Sequence, residues 1–198
     1  MKSANCVSLA VGIESGDEGL RNTLLNRNMS DMQIIKAAEC IHNAGLKLLT
    51  LNIFGFPGET FDQAVKTMEI NQKCKTDLMS SFLFQPYPRT KLAEFAVEKG
   101  YFSGNYDHLS SSWFMKSPLE NPEKEKIDRL HKLSALGAEF PALTKIFLKA
   151  TDWKLDKFYF LLMRLYKAYS YRMRIIPVKI GFKNTVRMIW DYMTDFSK

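Results

Sequence analysis

The sequence predicts an α/β fold, a parallel sheet with crossover helices that gives way to a helical carboxyl-terminal region. Three observations carry this expectation. An apolar, strand-like run ends in a polar or glycine-rich turn at three places: Val7 to Gly16, Leu51 to Thr60 with Leu48 and Leu49 just before it, and Leu78 to Arg89. Helical apolar spacing, opened by capping residues, fills both intervals between these runs. The 46% hydrophobic content is enough for an ordinary core. Strand, helix, strand, helix, strand in this order argues for parallel pairing, because each helix returns the chain to the start of the next strand.

In the first run Val7, Leu9, Val11 and Ile13 alternate before Glu14, Ser15 and Gly16, so a strand delivers polar groups and a glycine at its tip. A helix is then predicted from Ser30, an N-cap with Gln33 three residues on, with Ile34, Ile35, Ala38 and Ile41 on one face. It stops at Gly45, which suits a left-handed cap. The chain is organised around the second run, where Leu48, Leu49, Leu51 and Ile53 read as a buried strand and Phe54-Gly55-Phe56-Pro57-Gly58 forces a turn. Thr60 with Gln63 forms a capping box, and Phe61, Val65 and Met68 mark the inward face of a helix to about Lys75. Glycines at such a turn let a flat ligand approach bare backbone, and α/β folds bind ligands beyond the carboxyl ends of their strands. A sharp βα turn with no ligand fits the same residues. In the third run Phe82, Leu83 and Phe84 precede Gln85, Pro86, Tyr87 and Pro88.

From Lys91 to Gly100 a short helix is predicted, with Leu92, Phe95 and Ala96 inward. Ser103 to Asn121, with Gly104, Asn105, three consecutive serines and Pro118, reads as a long surface loop, a lid or a connector, holding the apolar Trp113, Phe114 and Met115. Asn121 and Pro122 open a further helix whose buried face is marked by Ile127, Leu130 and Leu133. These readings divide the chain into 1–102, the βα units, 103–121, a connector, and 122–198, a basic, aromatic-rich helical region.

The excess charge lies in the tail. From Lys145 onward there are 12 Lys or Arg against 4 Asp or Glu, a surplus of +8, whereas residues 1–144 hold 16 against 17; the whole chain carries +7. Leu155, Phe158, Leu162, Leu165 and Tyr169 show helical spacing, Pro177 breaks the pattern, and Phe182, Trp190 and Tyr192 follow. A cap packed on the preceding units, with its lysines solvated, is the first expectation. An anionic membrane surface is the second, and nucleic acid is the least favoured partner. No apolar run approaches the roughly 20 residues of a spanning helix.

Three βα units in 198 residues are too few to close a barrel, and Met1 lies just before the first strand, so the chain reads as the carboxyl-terminal portion of something longer. Cys6, Cys40 and Cys74 are odd in number, widely spaced and preceded by no signal-peptide pattern, which points to a reducing, cytoplasmic setting with the tail as the route to any membrane surface. They read as buried thiols rather than metal ligands. His42, His108 and His131 are likewise scattered, without the short spacing of a local zinc site.

VGIESGDEGLRNTLLNRNMSDMQIIKAAECIHNAGLKLLTLNIFGFPGET, followed by FLFQPYPRTKLAEFAVEKGYF, resembles the second half of the radical S-adenosylmethionine barrel, especially the branch that carries an amino-terminal cobalamin-binding domain. The resemblance covers roughly residues 4–102 and implies the last three βα units of a partial (β/α)6 barrel. It further implies S-adenosyl-L-methionine bound across the strand tips and cleaved with an electron from a [4Fe-4S] cluster. Glu14, Ser15 and Gly16 then match a tip that hydrogen-bonds the ribose or amino group. Ile53, Phe54, Gly55 and Gly58 match the segment packed on adenine, and Gln85 and Tyr87 the tip that shapes the cofactor and substrate pocket.

Two departures limit what the resemblance carries over. The family's CxxxCxxC cluster motif is absent, and so are the cobalamin-binding DxHxxG-like pattern and the glycine-glycine-glutamate segment. The other departure is Arg89, where relatives often have glycine; it reads as a surface residue before an anion contact. One expectation is therefore the carboxyl-terminal part of a radical S-adenosylmethionine enzyme, of which a cobalamin-dependent methyltransferase is one form, completed by an amino-terminal half that supplies the cluster. The alternative is a non-catalytic half-barrel that serves as a binding or scaffold module through its basic helices. The substrate is not named by these residues.

Overall fold

A computed structural model describes residues 4–107, 109, 114, 116–175, 181, 184 and 187. Three strands, β1 (Ser8–Glu14), β2 (Lys47–Phe54) and β3 (Leu78–Leu83), form one open parallel sheet in sequential order. Between them run α1 (Glu18–Thr23), α2 (Asp31–Asn43) and α3 (Phe61–Lys73); α4 (Lys91–Glu98), α5 (Lys124–Glu139), α6 (Thr144–Ala150) and α7 (Asp156–Ser170) follow, and α7 ends in a π-helical turn, Tyr171–Ile175. The α/β class and the three parallel strands agree with the sequence. What is observed is an open sheet, with its two outer strands unclosed by any further strand among the described residues.

Both predicted capping boxes form. The Ser30 and Thr60 hydroxyls accept from the amides of Gln33 and Gln63, whose side chains accept in return from the cap amides. Each box stabilises its helix by about 1 kcal/mol. Gly45 ends α2 region with φ +69°, as its position suggested. Helix α1, capped by Asp17, was not foreseen: its six residues are too short to show a period.

The faces of β2 are the reverse of a simple hydrophobic reading. Leu48, Thr50, Asn52 and Phe54 turn to the helices and are buried, while Leu49, Leu51 and Ile53 lie on the other, half-exposed face. Thr50 and Asn52 are tolerated because they are paired. Thr50 Oγ1 donates to Asn71 Oδ1, Asn71 Nδ2 donates to Asn52 Oδ1 at 2.9 Å, and Thr76 Oγ1 also donates to Asn71 Oδ1. Around this polar strip the apolar core divides. Ile13, Leu48, Ile34, Ala38 and Ile70 fill the space under α2, while Phe54, Met68, Met79, Leu83, Ile127 and Leu130 join the sheet to α3 and α5. A third cluster, Leu20, Phe56, Phe84, Ala96, Phe102 and Leu119, closes the carboxyl end of the sheet.

Three further expectations are corrected. Helix α5 starts at Lys124, two residues beyond Pro122; Asn121 Oδ1 still accepts from the Glu123 amide in the manner of a cap, and its Nδ2 donates to the Glu59 carbonyl. The connector is not all surface, since Ser117 and Leu119 are buried beside the β2 turn. Among the thiols, only Cys74 is buried, while Cys40 is exposed on α2. His108, Trp113, Met115, the three serines and the tail residues Pro177, Phe182, Trp190 and Tyr192 lie outside the described residues.

Helix α7 departs most from the packed cap. Its inner face carries Arg164, Lys167 and Ser170 along with Tyr159 and Met163, whereas Phe158, Leu161, Leu165 and Tyr169 face outward. Lys167 is inward because β3 is an edge strand among the described residues, and its outward carbonyls need donors. Lys167 Nζ donates to the Ser81 carbonyl at 3.1 Å, and Arg174, paired with Glu139, donates to the Asp77 carbonyl at 3.3 Å. Lys167 also lies over the rings of Phe82 and Phe114, 5.5 and 4.5 Å from their centroids. Burial pushes its amine down to about 7.

Candidate functional site

The half-exposed face of the sheet and the strand tips enclose a cleft of about 390 Å³ lined by Glu14, Leu51, Ile53, Phe82, Leu83, Phe84, Gln85 and Tyr87. Apolar walls with a few polar groups at one end are the usual make-up of a small-molecule site. Strand β1 delivers Glu14 through a bulge between Gly12 and Glu14, and Glu14 itself has φ +66°. A left-handed carboxylate residue after a bulge is strained backbone, which re-aims a side chain at a cost of about 1–3 kcal/mol. The Glu14 carboxyl lies back over Gly12, where an added Cβ would sit 2.7 Å from Oε1. Arg27 Nη2 donates both to the Gly12 carbonyl, at 2.9 Å, and to Glu14 Oε1, at 3.2 Å. Burial raises the Glu14 pKa and Arg27 opposes the shift.

Gln85 enters from the end of β3. It is 7% exposed, and neither its Oε1 nor its Nε2 has a hydrogen-bond partner. An amide buried without partners costs about 1–3 kcal/mol; both polar atoms of Gln85 are closed to solvent, so a ligand in the cleft meets them once the side chain turns toward it. Tyr87 stands at the rim, 51% exposed.

The other residues singled out from the sequence are placed differently. Ser15 is fully buried, with its hydroxyl accepting from the Asp17 amide and its carbonyl from Arg21 Nη1. Gly16 faces α3, not the cleft. The Phe54 ring packs on the helical side, edge-on to His131 at 5.9 Å. Gly55 and Gly58 have φ of +74° and +77°, as the turn requires, but the turn is closed around Glu59. The Glu59 Oε2 accepts from the amides of Gly55 and Phe56, while Oε1 is buried without a partner. Burial lifts the Glu59 carboxyl to about 8. Arg89 is exposed with φ +65°, a left-handed backbone that glycine adopts more readily than other residues.

Ile53, Glu14, Gln85 and Tyr87 are therefore brought together, and Ser15, Gly16 and Phe54 support the frame behind them. Sequence reasoning missed Leu51, Phe82 and Phe84 as walls, Arg27 as the partner of Glu14 and Gly12 as the space for its carboxyl. Alternation assigned Leu51 and Ile53 to a core; only the pairing Leu51↔Ser80 and Ile53↔Phe82 shows that they share an uncovered face. Further cavities lie elsewhere among the described residues, two of them relevant by their lining. One, of about 270 Å³, is apolar and runs between α2 and β1; the other, of about 380 Å³, is charged and lies between Lys116, Glu120, Lys124, Asp128 and Asp156.

Among the described residues no group of three or more His, Cys, Asp or Glu could hold a metal ion. No described helix is long and apolar enough to cross a membrane. No protein-family model matches the chain. Over 97 residues, 49% of the chain, it is 30% identical to an uncharacterized methyltransferase of Pyrococcus horikoshii. The chain spans about one fifth of the length of that curated relative, 21%.

Proposed function

We propose that this chain is the carboxyl-terminal half-barrel of a radical S-adenosylmethionine enzyme and that the cleft between Glu14 and Gln85 receives S-adenosyl-L-methionine. The observation that carries this reading is the buried Gln85 amide, unpartnered at both atoms, in the same cleft as a carboxylate held by a strained bulge. Its support is the coincidence of the resembling strand-tip residues with the cleft and the likeness to a protein named as a methyltransferase. The residues fit this ligand in kind: a carboxylate accepts from ribose hydroxyls or an ammonium, and an amide both donates and accepts.

Bound S-adenosylmethionine supplies a methyl group or, on one-electron cleavage, a carbon radical. This chain's own part is binding and orientation. Glu14, fixed by Arg27, accepts hydrogen bonds in the cleft, and Gln85, turned into it, meets polar edges of the ligand. Leu51, Ile53, Phe82 and Phe84 exclude water from a flat base. The Gly55 amide is already given to Glu59, so the turn contributes shape rather than a donor.

The donor set does not fit an iron-sulfur cluster. Cys6 precedes β1, Cys40 lies on α2 and Cys74 follows α3, on separate elements. In this proposal the cluster and any cobalamin belong to the amino-terminal half of the barrel, and no step on these residues is routed through them.

Calorimetric titration of the chain with S-adenosyl-L-methionine tests the reading. Glu14→Gln, which keeps the shape and removes the charge, is expected to weaken binding about tenfold or more. Equal affinities for the two proteins, or no saturable binding by either, would favour the scaffold module instead.

A further inference from the structure

The outward face of α7 is the least expected surface of the molecule. Of its five exposed residues, Lys157, Phe158, Leu161, Leu165 and Tyr169, four are large and apolar. Spacings of 3, 4 and 4 residues place those four on a single helical stripe. Met173, 64% exposed in the following turn, is the next exposed apolar residue. A helix that only capped the sheet would turn these side chains inward. Here the inner positions are taken by Arg164 and Lys167, with Lys167 occupied at the β3 edge. The stripe is thus left outward by the way the helix docks, and contiguous exposed apolar surface of this kind marks an interaction site.

The segment leading into the stripe adds Trp153, 51% exposed, and Leu155, 48% exposed, with the exposed Lys154 and Lys157 among them. Lys145 and Lys149 are exposed on α6. We propose that α7 and the segment before it form a docking surface for an anionic phospholipid membrane, with Phe158, Leu161, Leu165 and Tyr169 entering the interface and the lysines meeting headgroup phosphates. Charge selects this occupant over others. A second copy would set the exposed Lys145, Lys149, Lys154 and Lys157 against their own like charges, and residues 176–198 themselves hold 4 Lys or Arg against 2 Asp or Glu. An anionic bilayer meets both requirements, apolar depth and negative charge. Trp and Tyr beside lysines suit its headgroup level.

The test is co-sedimentation of the full chain with vesicles of phosphatidylcholine alone and of phosphatidylcholine with phosphatidylglycerol, at low and high salt. Binding to the anionic vesicles only, falling steeply with salt, is expected. Lys154→Glu with Lys157→Glu should cut that partitioning at least about tenfold. Leu161→Gln with Leu165→Gln should do the same while circular dichroism and thermal unfolding stay those of the parent, since both side chains are already exposed. Equal binding to both vesicle types, no binding to either at low salt, or a concentration-dependent dimer abolished by the leucine pair would each overturn the proposal.

Discussion

The Gly16 amide donates to Thr67 Oγ1 at 2.8 Å, and a Cβ added at Gly16 would lie 2.1 Å from the Lys66 carbonyl oxygen. The tip of β1 thus rests directly on the backbone of α3, with room for glycine alone. Gly16→Ala forces the helix and the tip apart and is expected to cost about 3 kcal/mol or more. Urea unfolding measures this; a loss under about 1 kcal/mol would show that the contact relaxes freely.

Asn71 ties Thr50, Asn52 and Thr76 together within the core. Asn71→Leu leaves buried hydroxyls and an amide oxygen without partners, each at about 1–3 kcal/mol. A destabilisation of roughly 3 kcal/mol or more is expected from the same denaturant series. A variant as stable as the parent would show that the network contributes nothing net.

The raised Glu59 pKa gives stability a defined pH dependence. Its ordinary value is 4.5 and its folded value about 8, so between the two the native state holds a proton that the unfolded chain has released. Stability from this group is complete below about pH 4.5 and falls by up to about 1.4 kcal/mol per pH unit as pH rises toward 8. Glu59→Gln resembles the protonated acid and should remove that slope, leaving the variant the more stable protein at pH 8. A parent and variant with parallel pH profiles would place the ionised carboxylate in the native turn.

Lys167 acts in the opposite sense at higher pH. Burial lowers its amine from 10.5 to about 7, so across that window the unfolded chain holds the extra proton and stability rises with pH. Lys167→Met retains the buried stem and should flatten the rise, while leaving the Ser81 carbonyl short of a donor. Thermal unfolding from pH 7 to 10 checks this, and an unchanged slope in the variant would assign the titration elsewhere.

Much of the frame was legible because local signals stood alone. Ser30 with Gln33, Thr60 with Gln63 and Gly45 each act within a few residues, and the helices obey them. The face of β2 was not legible. Leucines and isoleucine argue for burial by residue type, but Thr50 and Asn52 win the helix side through partners 19 and 21 positions away. For α7 the sequence left a packed cap and an outward apolar face both open, since the need of β3 edge carbonyls for Lys167 is a tertiary fact. Of the site, Glu14, Ile53, Gln85 and Tyr87 were reached through the resemblance of the strand-tip motifs; Arg27 and Gly12 could be recognised only once the bulge brought them against the Glu14 carboxyl.

The proposed binding of S-adenosyl-L-methionine in the cleft lined by Glu14 and Gln85 is read at the Gln85 side-chain amide. With 15N-labelled protein, titration of the ligand should move the Gln85 Nε2 resonances and those of the neighbouring Tyr87 amide, in step with saturation, and Glu14→Gln should shift the midpoint to higher ligand concentration. Resonances at Gln85 that stay fixed while the protein saturates, or changes confined to the charged cavity around Asp128, would contradict the account.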